Sequence, residues 1–142
     1  MRRFEETVGL RLLKLHQRLY ELTGGRWGHR LGGLRTLLLR TTGRRSGQRR
    51  TAALLYHRDA DRFVVVGSRG GSDTEPGWLL NLRADPDVEV QVGTRRFPAR
   101  ARIAAPTERQ RLWPVMTAMW PAYERYQART SRQIPLVVLD PS

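Results

Sequence analysis

Arg44, Arg45, Arg49 and Arg50 crowd into one short stretch, separated by Ser46, Gly47 and Gln48 and preceded by Gly43. Guanidinium groups this close repel one another, so a fold holds them together only where an anion or open water offsets the repulsion. The chemistry they suit is the grip of an anionic ligand arm. A second basic, glycine-rich segment, Gly67-Ser68-Arg69-Gly70-Gly71, offers permissive backbone and another guanidinium, although a plain flexible turn has the same composition. Trp78 and Asn81 stand three residues apart, hence on one face of a helix. Trp120, Tyr123 and Tyr126 recur at three-residue steps around Pro121. Two hydroxyls and a flat surface at that spacing serve equally as the edge of a core or as the lid of a flat pocket.

Other chemistries fall away. Cysteine is absent, which removes disulfides, thiolate metal sites and thiol nucleophiles together. His16, His29 and His57 have no metal-ligand spacing to one another or to carboxylates, so no metal is expected. Gly43 to Ser46 lacks the spacing and the lysine of a phosphate-binding Walker loop, and no G-x-G-x-x-G occurs. The net charge of +13 suggests nucleic acid at first, yet all basic residues except Lys14 are arginine, a bias that composition alone can produce. Residues 1–50 hold 13 basic and 3 acidic groups, so +10 of the charge lies there. A surface for stacking bases needs exposed rings interleaved with arginines on one face, whereas Trp78, Tyr123 and Tyr126 are expected to sit among apolar groups.

With 142 residues and 39% apolar content, the chain fits one domain that buries enough surface to need no covalent staple. Without a signal peptide or an apolar run near 18 residues, it reads as soluble and cytoplasmic. Phe4, Val8, Leu12, Leu15, Leu19 and Leu22 predict an amphipathic helix, ended by Gly24-Gly25. Its stripe either packs on the domain or rests peripherally on an anionic membrane through residues 1–25. Residues 1–33 are then helix and glycine-rich linker, and 34–142 the main domain.

Leu34 to Thr42 reads as a strand, and Thr51 to Arg58 with Arg62 to Gly67 as a hairpin about Asp59-Ala60-Asp61. Val88, Val90 and Val92 alternate with polar residues, as do Phe97, Ala99, Ala101 and Ile103; closing the turn at Gly93-Thr94 sets Val90 opposite Phe97 and Val88 opposite Ala99. Pro76 to Ala84 predicts a short helix. Thr107 and Gln110 suggest a capping box opening a helical region that Pro114 and Pro121 must break or kink, giving short helical pieces. Ile134 to Leu139 is apolar enough for a central strand. The sum is an α+β domain: a small barrel of about six mostly antiparallel strands, with helices outside.

Several separated stretches together resemble the deazaflavin-dependent nitroreductase family: Thr41 to Gln48, Val65 to Gly71, Pro76 to Trp78 with Asn81-Leu82, Val90 to Val92, and Trp120 to Tyr123 with Tyr126-Gln127. The likeness spans about Leu34 to Pro141. It implies a split β-barrel related to FMN-binding flavin reductases, and the cofactor F420, an 8-hydroxy-5-deazaflavin whose tail carries a phosphate and glutamates. Arg44, Arg45, Ser46 and Arg50 match the family's tail-binding positions; Arg49 departs from a common proline. Ala53, Leu54 and Leu55 would run along the ring, with Val66, Gly67, Ser68 and Arg69 across from it and Gly77, Trp78 and Asn81 closing on it. Tyr123 and Tyr126 match tyrosines over the substrate side, and Trp120 stands where another tyrosine is common. The implied reaction is hydride transfer to a quinone, nitroaromatic or activated enone, with a proton from Tyr123, Ser68 or water. FMN in the same barrel is the alternative ligand; a basic module for nucleic acid or anionic membrane, without catalysis, is the alternative function.

Overall fold

A computed structural model describes residues 30–31 and 34–142. The predicted N-terminal helix lies outside the described residues, and so does most of the linker; Arg30–Leu31 within it forms a short strand, β1, paired with the start of β2. The remaining strands are β2 Leu34–Thr42, β3 Arg49–Leu55, β4 His57–Asp59, β5 Arg62–Val66, β6 Asp87–Val92, β7 Arg95–Ile103 and β8 Leu136–Pro141. Three helices, α1 Gly77–Ala84, α2 Pro106–Met119 and α3 Ala122–Ala128, accompany them, with a 3-10 turn at Arg69–Gly71.

Seven strands make one antiparallel sheet in the order β3-β2-β6-β7-β8-β5-β4. The two strands at its ends, β3 and β4, are consecutive in the chain and separated only by Tyr56. One residue cannot span an open sheet, so the sheet has to curl until its edges meet, which makes it a barrel. Leu37, Leu39, Phe63, Val65, Val88, Val90, Val137 and Leu139 fill the interior, all in the same parity along their strands. The opposite parity of β5 and β8, Val64, Val66, Leu136 and Val138, faces out and is covered by Leu112 and Met116 of α2 and Tyr123 of α3. These two strands are apolar on both faces because both faces are buried. Leu112 and Met116 are almost wholly enclosed, so truncating either to Ala removes about 2–5 kcal/mol.

The hairpin of β6 and β7 has the register expected from its alternation, Val90 opposite Phe97 and Val88 opposite Ala99. The described residues give seven barrel strands and the short β1, in keeping with a barrel of about six mostly antiparallel strands. Three expectations need correction. Thr51 to Arg58 is not one arm of a hairpin: β3 pairs with β2 and only β4 pairs with β5, because the chain turns at buried Tyr56, whose N–H donates to Arg35 O at 3.1 Å. The cap of α2 lies two residues earlier than Thr107 and Gln110, with Glu108 Oε1 accepting from Ala105 N at 3.0 Å. Finally, α2 runs on through Pro114; one backbone hydrogen bond is forgone, while burial of Leu112 and Met116 on either side offsets the loss.

Candidate functional site

The end of β2 and the start of β3 are joined by a tight loop. Gly43 N donates to Gln48 O at 2.7 Å and Gly47 N to Gly43 O at 2.8 Å. Gly47 takes the left-handed φ of +72°, which favours glycine, and a Cβ on Gly43 would lie 3.1 Å from Gln48 O, so that position takes a larger residue only by small adjustment. Folding the backbone in this way turns the arginine side chains outward. Arg44, Arg45, Ser46 and Arg50 then line a cleft of about 470 Å³ with Thr51 and Ala52 of β3 and with Gly77, Trp78 and Asn81 of α1. The first turn of α1, whose leading N–H groups have no intrahelical acceptors, opens on the same space.

Asn81 is the joint of this cleft. It is buried, its Nδ2 donates to Thr41 Oγ1 at 3.1 Å, and its Oδ1 accepts from Arg44 N at 3.1 Å and Arg44 Nη1 at 2.9 Å. One side chain thus ties helix, strand and basic loop together. Arg45 and Arg50 have no carboxylate partner among the described residues, and nearby carboxylates are engaged elsewhere: Glu89 with Arg40, Glu75 with Arg83. Arg49 donates to Thr42 Oγ1 at 3.2 Å along the exposed strand and does not line the cleft.

The other expected residues fall into a second group. Ala53 is buried against Leu38, Leu54 packs on the barrel core, and the cleft's β3 wall is Arg50, Thr51 and Ala52 instead of Ala53 to Leu55. Val66 and Tyr123 are buried in one cluster, against which half-buried Trp120 and Tyr126 pack. Gly67 lies directly behind α1: a Cβ there would meet Leu79 Cδ2 at 2.8 Å. Ser68 is buried and Arg69 exposed. None of Ser68, Trp120, Tyr123 or Tyr126 lines the basic cleft; the three aromatics belong to the cluster between β5, β8 and the two later helices.

The rings of Tyr123 and Tyr126 meet edge to face, centroids 6.1 Å apart. Burial first, and the neighbouring Tyr126 second, hold the Tyr123 phenol well above its ordinary value, so it stays a proton donor at any physiological pH. Two residues hold this region together: Arg132, which carried no sequence signal, and Gln127, marked only as the end of the Tyr126-Gln127 motif. Arg132 donates from Nε to Ser72 O at 2.8 Å, and from Nη2 to Gly67 O at 3.1 Å and Ser68 O at 2.8 Å. Gln127 accepts from Ile134 N at 2.9 Å and donates to Arg132 O at 2.8 Å. At the cleft, Thr41 is buried like Thr36 of the same strand, and stood in the sequence only as the first residue of the basic motif.

Comparison with known proteins bears on what this cleft serves. A family model described as F420H(2)-dependent quinone reductase matches residues 12–141. The chain belongs to this family. The F420H(2)-dependent quinone reductase Rv1261c of Mycobacterium tuberculosis is 46% identical over 139 residues, covering 95% of this chain and 93% of its own. Among solved structures, the F420-H2 dependent reductase FDR-A is 33% identical with a TM-score of 0.68, over 74% of this chain and 93% of that one. A domain-swapped dimer at 31% identity has a TM-score of 0.72, covering 94% and 98%. The family is one of oxidoreductases that use F420, which decides between deazaflavin and FMN and sets aside a non-catalytic basic module. No helix among the described residues is long and apolar enough to cross a membrane.

Proposed function

We propose that the chain reduces a quinone with reduced F420, and that the cofactor's anionic tail lies in the cleft of Arg44, Arg45 and Arg50. The observation that carries this reading is three guanidinium groups around one cleft, without a paired carboxylate among the described residues, beside the flat indole of Trp78. Phosphate and glutamyl carboxylates are the groups that bidentate guanidinium bonds suit best. When bound, the reduced deazaflavin supplies a hydride. The protein's part is to bind, to orient and to keep water out.

Ser46 Oγ already accepts from Gln48 N at 3.2 Å, and its hydrogen is free to reach a tail oxygen. Trp78 offers a stacking face, and Gly77, with nothing within 4 Å of a Cβ position, leaves backbone open to the ligand. Outside the cleft lining, the turn from Val66 to Arg69 and the hydroxyls of Tyr123 and Tyr126 supply donors for an acceptor oxygen that gains charge. Tyr123 suits that role because its phenol is buried and stays protonated. A quinone that takes a hydride becomes an oxyanion needing one further proton, and a hydroxyl donor stabilises that charge. Contact of residues 1–25 with an anionic membrane, where a lipid-soluble quinone resides, is compatible with this chemistry and belongs to the same proposal.

Titration of the purified protein with oxidised F420 tests the reading. Quenching of cofactor fluorescence at micromolar concentrations, absent with FMN, is the expected result. Saturable binding of FMN with none of F420 would refute it.

A further inference from the structure

The turn after β5 is held in a conformation its residues do not favour. Arg69, Gly70 and Gly71 all have positive φ, +46°, +62° and +85°. For glycine this is free, but a left-handed arginine costs roughly 1–2 kcal/mol. Such strain persists only where surroundings over-determine it. Gly71 is pressed on α3, a Cβ there lying 2.7 Å from Tyr126 O and 2.8 Å from Tyr126 Cα. Arg129 Nη1 approaches Gly70 O at 3.4 Å. Above all, one guanidinium, that of Arg132, takes the carbonyls of Gly67, Ser68 and Ser72, the two ends of the turn.

This side chain acts on the turn: Nε and Nη2 go to backbone carbonyls, while Nη1 is buried without a hydrogen-bond partner among the described residues. A guanidinium shared by three carbonyls fixes the two ends of the turn relative to each other. Arg132 is also tied back to the tyrosines: Gln127, four residues after Tyr123 on α3, accepts from Ile134 N, and its Nε2 donates to Arg132 O at 2.8 Å. The helix bearing Tyr123 and Tyr126 and the turn bearing Ser68 and Arg69 are thus set relative to each other through one residue.

Resting on the function proposed above, we propose that Arg132 is a positioning residue of the reductase, holding the Gly67–Ser72 turn in register with Tyr123 and Tyr126 without itself gripping the cofactor tail. The tail positions Arg44, Arg45 and Arg50 lie in the cleft, which Arg132 does not line. Turnover and cofactor affinity should therefore separate.

Replace Arg132→Met and Arg132→Lys in the full chain, and measure kcat with quinone at saturating F420H2, the Kd of F420, and hydrogen exchange at the amides of Gly71 and Ser72, which donate to Ser68 O at 3.0 Å and Arg69 O at 3.1 Å. Arg132→Met should lower kcat by roughly tenfold or more, as displaced reacting groups do, leave the Kd little changed, and speed exchange at both amides. Arg132→Lys should recover part of both effects, because an ammonium can reach two of the three carbonyls. Wild-type kcat in Arg132→Met, or kcat and Kd worsening in parallel with no recovery in Arg132→Lys, would overturn the proposal. If the unaltered protein does not turn over quinone, the functional reading fails, and unchanged exchange in the variants would then separately remove Arg132 as the clamp.

Discussion

Asn81 offers the sharpest test of the cleft, because its two ends do different things. Toward the barrel it donates to Thr41 Oγ1; toward the cleft it accepts twice from Arg44. Asn81→Ala leaves the buried Thr41 hydroxyl without that partner and frees an arginine that water can reach. The first loss costs about 1–3 kcal/mol and the second, near the surface, about 0.5–1 kcal/mol. A net destabilisation of about 2–3 kcal/mol lowers the melting midpoint of a chain this size by roughly 6–10 °C. Asn81→Asp behaves otherwise. The carboxylate keeps both acceptor roles, its bond to Arg44 becomes charge-assisted, and Thr41 can turn its own hydrogen toward it. Desolvation of the buried carboxylate opposes the gain from the Arg44 pair, so stability should change by no more than about 1–2 kcal/mol. The added negative charge faces the anionic arm, however, and at roughly 8 Å with an effective permittivity of about 20–40 it opposes binding by roughly 1–2 kcal/mol. That is about a five- to thirtyfold rise in the Kd of F420. Thermal melts beside fluorescence titrations separate the two effects. An Asn81→Asp variant that binds F420 as tightly as the parent, while melting at the same temperature, would show that the cleft does not hold the tail.

Arg45→Ala with Arg50→Ala should weaken F420 binding by about ten- to a hundredfold per residue, flatten its salt dependence, and leave kcat at saturation nearly intact; a salt slope unchanged from the parent would place the tail elsewhere. Glu108, whose carboxyl is held down to about 2 chiefly by the Arg102 guanidinium and then by Ala105 N–H, contributes stability fully present above pH 4.5 and lost as pH falls toward 2. Allowing for the solvent exposure of Arg102, Glu108→Gln should cost about 1–2 kcal/mol at pH 7 and close to nothing at pH 2, as read from urea midpoints across that range. Gly71→Ala, with φ at +85° and an immovable Tyr126 carbonyl 2.7 Å away, should destabilise the chain by roughly 2 kcal/mol or more; a melting midpoint equal to the parent's would mean the turn is not pressed on α3.

Much was decided locally and could be read residue by residue. Period-two alternation in Val88 to Val92 and Phe97 to Ile103 sets the register of β6 and β7 before any long-range contact exists, because a slip by one residue would expose every apolar side chain. Glycines at 43 and 47 and crowded arginines mark the basic loop, since the backbone and charge constraints that shape it lie within the loop. The basic stretch and the separated motifs also carried the family resemblance. What the sequence could not show depends on partners far away in the chain. Whether Thr51 to Arg58 forms one strand or two turns on Tyr56 reaching Arg35, and whether α2 survives Pro114 turns on burial against β5 and β8. Asn81 bonding Thr41 and Arg44, and Arg132 gathering the carbonyls of Gly67, Ser68 and Ser72, join residues some 40 to 65 positions apart. Polar side chains at such separations leave no periodic trace, because their partners are chosen by the curl of the barrel; propensity and pattern set the elements, while closure of the sheet on itself chose which of them meet.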